Sequence, residues 1–190
     1  MIKLDKYMAF VILFMTFSIF FGCSKDSAKN KETGIKVYPL VSSSNPMGNK
    51  AADFVWEQNG KQVSFSEYTK GKYVLLNFWG TWCPPCRAEI PDIITLSKEM
   101  ESKGLVVIGA AMERTSSMTE ALSGVKDFWS SNNMNYPIVI ATSELVKAYG
   151  GIDGVPSTFL INDKGEIVNN LVGMRTKADF IAEINKMMSR

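Results

Sequence analysis

An apolar, β-prone run, Val74-Leu-Leu-Asn-Phe-Trp79, passes through Gly80 and Thr81 into Trp82-Cys-Pro-Pro-Cys86 and then into a segment of helical pattern. This junction constrains the chain more than any other feature. Two cysteines separated by two residues at the first turn of a helix can close a small disulfide. The more N-terminal sulfur, Cys83, sits where the helix dipole and free backbone N–H groups favour a thiolate. Cys83 is therefore expected to be the exposed nucleophile and Cys86 the buried resolving thiol. Pro84 and Pro85 between them, with Trp82 before, mark an exposed reactive turn. A static disulfide stays open on spacing alone. A zinc site is not expected, because tetrahedral sites of Cys and His take four ligands and the chain has three cysteines and no histidine.

The length of 190 residues, 46% of them hydrophobic and 21% charged, suits one soluble domain with extensions. The formal charge of +2 is almost balanced, and no basic patch argues for nucleic acid. Lys3 and Lys6 precede the apolar residues 8–21, a run that suits the hydrophobic region of an export signal and falls short of the about 20 residues a spanning helix needs. Residues 1–22 are accordingly expected to be a signal peptide. Gly22-Cys23 then begins a polar stretch and resembles a bacterial lipoprotein processing site, at which Cys23 would become acylated and N-terminal. Phe20 departs from the Leu, Val or Ile usual three places before that cysteine, and a retained membrane anchor is the alternative. If Cys23 carries lipid, only the even pair Cys83 and Cys86 remains.

Residues 23–50, rich in Ser, Asn, Lys and Gly, read as a flexible tether, and residues 51–190 as the folded domain. Asp53-Phe-Val-Trp56 and Gln62-Val-Ser-Phe65 around Asn59-Gly60 predict a β-hairpin, with Ser66 capping one helical turn after it. Tyr73 to Phe78 reads as a central strand. The helix begun at Cys83 is expected to reach about Lys103, bent at Pro91 and ended by Gly104. Leu105-Val-Val-Ile108 reads as a buried parallel strand. An additional helix is predicted over 116–133, with Leu122, Val125, Phe128 and Trp129 on its core face. Pro137-Ile-Val-Ile140 is another short strand, and Ser143 caps a helix ending at Gly150-Gly151. Thr158 to Ile161 and Ile167 to Val172 flank Asp163-Lys-Gly165 as a hairpin. Thr176-Lys-Ala-Asp179 opens a last helix as a capping box.

Phe78-Trp-Gly-Thr-Trp-Cys-Pro-Pro-Cys86 resembles the active site of the thioredoxin superfamily, and within it the TlpA/ResA-like envelope disulfide reductases. Pro91 after Cys86, Gly154-Val-Pro-Ser-Thr-Phe159 and the hairpin beginning at Asp53-Phe54 extend the likeness over residues 48–188. The resemblance implies an α/β, thioredoxin-like fold: a central mixed β-sheet flanked by helices, with an N-terminal β-hairpin and an extra helical insert. It implies that the Val155–Pro156 bond is cis and that Val155 presents its backbone to an extended substrate. Trp82 and Thr81 would add apolar contact beside the sulfur. It also implies that Glu89, on the helix face of Cys86, assists the thiols. Thioredoxin itself has a buried aspartate where this chain has Asn77, which cannot take a proton, so the role falls more heavily on Glu89. Glu113, ending the Leu105 strand, would join the site if it faced the cysteines.

The chemistry implied is dithiol–disulfide exchange on protein disulfides with no cofactor. Reduction is the expected direction, at the extracytoplasmic face of a bacterial envelope membrane, with a membrane thiol donor of the CcdA/DsbD kind and apocytochrome c as the family's frequent substrate. Three rivals follow from the same residues: an envelope dithiol oxidant, a thiol peroxidase, and a redox-inactive binding module. The first often carries a histidine between its cysteines. The second uses a lone cysteine in a Pro-x-x-x-Thr/Ser-x-x-Cys context absent from this chain.

Overall fold

The computed structural model describes residues 34–46 and 48–189. The proposed signal segment, Cys23 and the start of the tether lie outside the described residues. From Gly34 onward the chain folds around one eight-stranded sheet in the order β3-β2-β1-β6-β5-β4-β7-β8. Its strands are β1 (Val37–Ser43), β2 (Phe54–Gln58), β3 (Lys61–Ser64), β4 (Tyr73–Trp79), β5 (Leu105–Ala111), β6 (Ile138–Ile140), β7 (Ser157–Ile161) and β8 (Ile167–Val172). The helices are α1 (Phe65–Tyr68), α2 (Pro84–Met100), α3 (Met118–Ser131), α4 (Ser143–Ala148) and α5 (Lys177–Met188).

The sheet is mixed, as expected. Strand β4 lies parallel to β5 and antiparallel to β7, so this apolar run is covered along both edges. Its side chains alternate between two cores: Leu75 and Trp79 pack under α2, α3 and α5, while Val74, Leu76 and Phe78 pack with α1, α4 and the N-terminal hairpin. Both faces being buried explains why β4 and β5 read as continuous apolar runs rather than as alternating ones.

Three expectations need correction. The tether does not extend to residue 50, because β1 is a sheet strand, parallel to β6 and antiparallel to β2, with Val37 and Tyr38 buried. Only two buried side chains before Pro39 give too short a period to announce a strand; its partners, distant in sequence, define it. The cap of α1 is Ser64 rather than Ser66: Ser64 Oγ accepts from the Glu67 N–H, while Ser66 lies inside the helix. Likewise Thr142, not Ser143, caps α4 by accepting from the Leu145 N–H. Adjacent hydroxyl residues are equivalent as candidate caps, and the choice falls on whichever one holds extended backbone as the chain leaves its previous element.

Elsewhere the local chemistry is as read. Asn59 and Gly60 both take positive φ, 53° and 72°, at the β2–β3 turn, the left-handed pair a two-residue hairpin needs. Gly104, at φ 84°, follows a short 3-10 turn, Glu101–Lys103, that ends α2. Thr176 and Asp179 form the reciprocal capping box of α5.

Candidate active site

Strand β4 delivers the chain to one end of the sheet, and residues 80–83 turn it into α2. Cys83 is the N-cap of that helix, with Pro84 and Pro85 exposed in its first turn, where a missing backbone N–H costs nothing. Cys83 and Cys86 are joined in a disulfide with Cα atoms 5.3 Å apart. The Cys86 N–H points at Cys83 Sγ over 3.2 Å. Both residues are buried, at 2% and 0% exposure, so the expectation of an exposed Cys83 does not hold for the disulfide form. The cause lies across the site: the Val155 carbonyl oxygen is 3.6 Å from Cys83 Sγ. The Val155–Pro156 bond is cis, as the resemblance implied.

Behind the disulfide, Glu89 is almost sealed from water at 2% exposure. One of its oxygens accepts from Asn77 Nδ2 at 2.9 Å and the other from the Arg175 N–H at 3.1 Å. Asn77 also donates to Thr158 Oγ1, so β4 and β7 together fix its amide. Burial pushes the Glu89 carboxyl up to about 7, against the opposing pull of these two hydrogen bonds. Glu89 lies one turn beyond Cys86 on the same helix face. A buried carboxyl poised near neutrality is suited to taking and returning a proton. Asn77 therefore orients the Glu89 carboxyl.

The loop before Cys83 is gripped by the chain leaving β5. Glu113 accepts from both the Thr81 N–H, at 2.9 Å, and the Thr81 hydroxyl, at 2.6 Å. The Trp82 indole N–H donates to the Met112 carbonyl at 2.7 Å, and the Arg114 guanidinium stacks 3.6 Å over the Trp82 ring. Gly80 is required by this closeness, since a Cβ there would meet the Trp82 indole and the Met112 carbonyl within 3 Å. Trp82 remains 37% exposed beside the disulfide. Exposed Val172 and Met174 follow on from the other side, where the Gly173 N–H donates to the Pro156 carbonyl.

All the predicted site residues of the domain thus converge: Trp82, Cys83, Pro84, Pro85, Cys86 and Glu89 from the β4–α2 junction, Val155 and Pro156 from the loop before β7. The contributions of Thr158 and Arg175 were not read from sequence. Thr158 carried a signal, as it directly follows the Pro156 loop. Arg175 takes part through its backbone, which no side-chain pattern reveals.

An α/β sheet with a two-cysteine disulfide at a helix start, facing a cis-proline loop, defines a thiol-disulfide oxidoreductase of thioredoxin-like fold. Residues 46–184 match the Redoxin family model, and the chain belongs to that family. The thiol-disulfide oxidoreductase ResA of Bacillus subtilis (strain 168) is 36% identical over 132 residues, 69% of this chain and 70% of that protein. The thioredoxin-like protein YneN of the same organism is 31% identical over 93% of this chain and 95% of its own. Among solved structures, a thiol:disulfide interchange protein of the thioredoxin family from Chlorobium tepidum TLS superposes with a TM-score of 0.64 at 35% identity, covering 76% of this chain and 99% of that one.

Proposed function

We propose that this protein is a disulfide reductase held at the extracytoplasmic face of a bacterial envelope membrane by lipid on Cys23, with Cys83 as the attacking thiol. The observation that carries the direction of flux is the small number of donors at Cys83 Sγ: Pro84 and Pro85 have no N–H, so the first turn of α2 offers the sulfur less than the helix start alone would. One backbone N–H, from Cys86, points at the sulfur, and the ionisable group deepest in the site is an acid, Glu89. Strong oxidants of this chemistry depend on a stabilised thiolate, which makes their reduced form the favoured one. A site that stabilises its thiolate little holds its disulfide more firmly and gives up electrons more readily.

In the reaction, Cys83 thiolate attacks one sulfur of a substrate disulfide; that S–S bond breaks, and the departing substrate sulfur takes up a proton. Cys86 loses its proton to Glu89 and attacks Cys83 Sγ, expelling the second substrate sulfur, which is protonated in turn. Two electrons have passed to the substrate and Cys83–Cys86 is left as a disulfide. Val155 pairs with the substrate backbone beside the sulfur, and Trp82, Pro84 and Pro85 supply apolar contact. A dithiol donor must reduce the protein again, and a membrane thiol transporter of the CcdA/DsbD kind fits that need. Apocytochrome c, whose haem-binding cysteines must be reduced before ligation, is the substrate proposed.

Equilibration of the couple with defined thiol buffers tests the direction. The expected potential lies nearer the about −270 mV of thioredoxin than the about −120 mV of DsbA, and a value at the latter end would overturn the reductase reading. Labelled palmitate tests the anchor: incorporation should vanish in Cys23→Ala.

A further inference from the structure

The segment Met112–Arg114 makes a cradle for the residues that carry Cys83, and Glu113 is its centre. Both carboxylate oxygens are spent on Thr81, two residues before the sulfur. Thr81 offers an N–H and an O–H, so Glu113 accepts two hydrogen bonds from the loop, both from neutral donors. Neither of the two ion pairs found among the described residues includes it. A structural tie alone would be served by an amide or a carbonyl, as the neighbouring Met112 carbonyl serves Trp82. A carboxylate adds a fixed negative charge beside the redox loop.

We propose that Glu113 is a positioning residue with an electrostatic effect: it fixes the Thr81–Trp82 turn and, through its charge, holds the Cys83 thiol less acidic, so that the couple becomes a better electron donor. This rests on Cys83 being the attacking thiol. The sign follows from linkage between thiolate and potential. A negative charge nearby disfavours the Cys83 thiolate, the reduced protein loses stabilisation relative to the disulfide, and the potential falls. Other charged groups belong to the segments that build the site. Arg114, stacked on Trp82, opposes Glu113. Arg87 lies over Phe128 and Arg175 is bound to the Gly173 and Met174 carbonyls. Glu89 is buried on α2, and Asp153 is exposed two residues before Val155. Of these groups only Glu113 is hydrogen-bonded to the turn itself.

Glu113→Gln separates charge from shape, because the glutamine oxygen still accepts from the Thr81 N–H and its NH2 can donate to the Thr81 hydroxyl, which turns to accept. The expected result, read by glutathione equilibration, is a shift of about three- to tenfold toward the dithiol, equivalent to about 15–30 mV for a two-electron couple. The midpoint of Cys83 alkylation against pH should fall in step. Thr81→Val, which removes one hydrogen bond and keeps the charge, should lower the melting temperature while leaving the equilibrium within about twofold of wild type. Arg114→Met, at an exposed position, should move both readouts in the opposite sense to Glu113→Gln, and it carries the test if the glutamine variant does not fold. Unchanged equilibria in Glu113→Gln and Arg114→Met would overturn the proposal, as would equal shifts in Thr81→Val and Glu113→Gln. The readout is a difference between variants, so it stands apart from the absolute potential on which the reductase reading depends.

Discussion

Glu89 is a carboxyl placed almost out of reach of water, and its ionisation is coupled to folding. Unfolded, it loses its proton near its ordinary value of 4.5; folded, near 7. Between those values the native state binds the extra proton, so stability falls as pH rises from about 4.5 to about 7, by a total of about 3 kcal/mol, and is level above. Glu89→Gln should remove this slope: in thermal melts of the disulfide form, the variant gains on wild type between pH 5 and pH 8. Parallel melting curves for the two proteins would mean that Glu89 is solvated. In single-turnover assays the same variant should slow resolution of the mixed disulfide by about 10²-fold and lose the rise in rate through pH 7. Glu89 was legible in the sequence through its helical offset from Cys86. Its burial was not, because charged residues ordinarily face solvent and the Asn77 amide and Arg175 N–H that admit it lie 12 residues before it and 86 after it, on other elements.

The elements owe their boundaries to small polar clusters. Asp53, at the entry to β2, accepts from the Ser66 N–H at 2.9 Å and from the hydroxyls of Ser64 and Ser66, and so ties the hairpin to α1. Asp53→Ala should cost about 1–3 kcal/mol, since it leaves these donors without their acceptor, and urea denaturation measures it. The Cys83–Cys86 equilibrium should stay at the wild-type value, because the hairpin occupies the edge of the sheet away from β4. A shifted equilibrium would show that the hairpin communicates with the disulfide. The hairpin itself was readable from Asn59-Gly60, whose backbone requirement is local. Its cap lies two residues before the expected one because Ser64 and Ser66 offer the same hydroxyl, and the end of β3 makes the choice.

The whole sheet depends on a strand that the sequence disguised. Strand β1 joins the hairpin β2–β3 to β6, and without it the N-terminal hairpin has no partner in the sheet. Trimming the chain to begin at Gly34 should leave cooperative melting unchanged. Beginning at Ala51 should expose the edge of β6 and the apolar face of the hairpin, and melting should lose cooperativity or fall by 10 °C or more, taking about 1 kcal/mol as worth about 2–4 °C in a domain of this size. A trimmed chain from Ala51 that melts as wild type would return residues 34–50 to the status of a tether.

The sequence by itself determined what depends on neighbours along the chain. The two cysteines at a helix start, the glycine turns, the Thr176–Asp179 box and the apolar runs of β4 and β5 each carry their own physical reason within a few residues. Tertiary structure alone decided which groups meet across that frame. It placed β1 beside β6, brought the Val155 carbonyl to within 3.6 Å of Cys83 Sγ, buried Glu89 under Asn77 and Arg175, and set Glu113 on Thr81. Such contacts join residues some 10 to 100 positions apart, and their energy arises from desolvation and geometry that exist only once the sheet has closed around them.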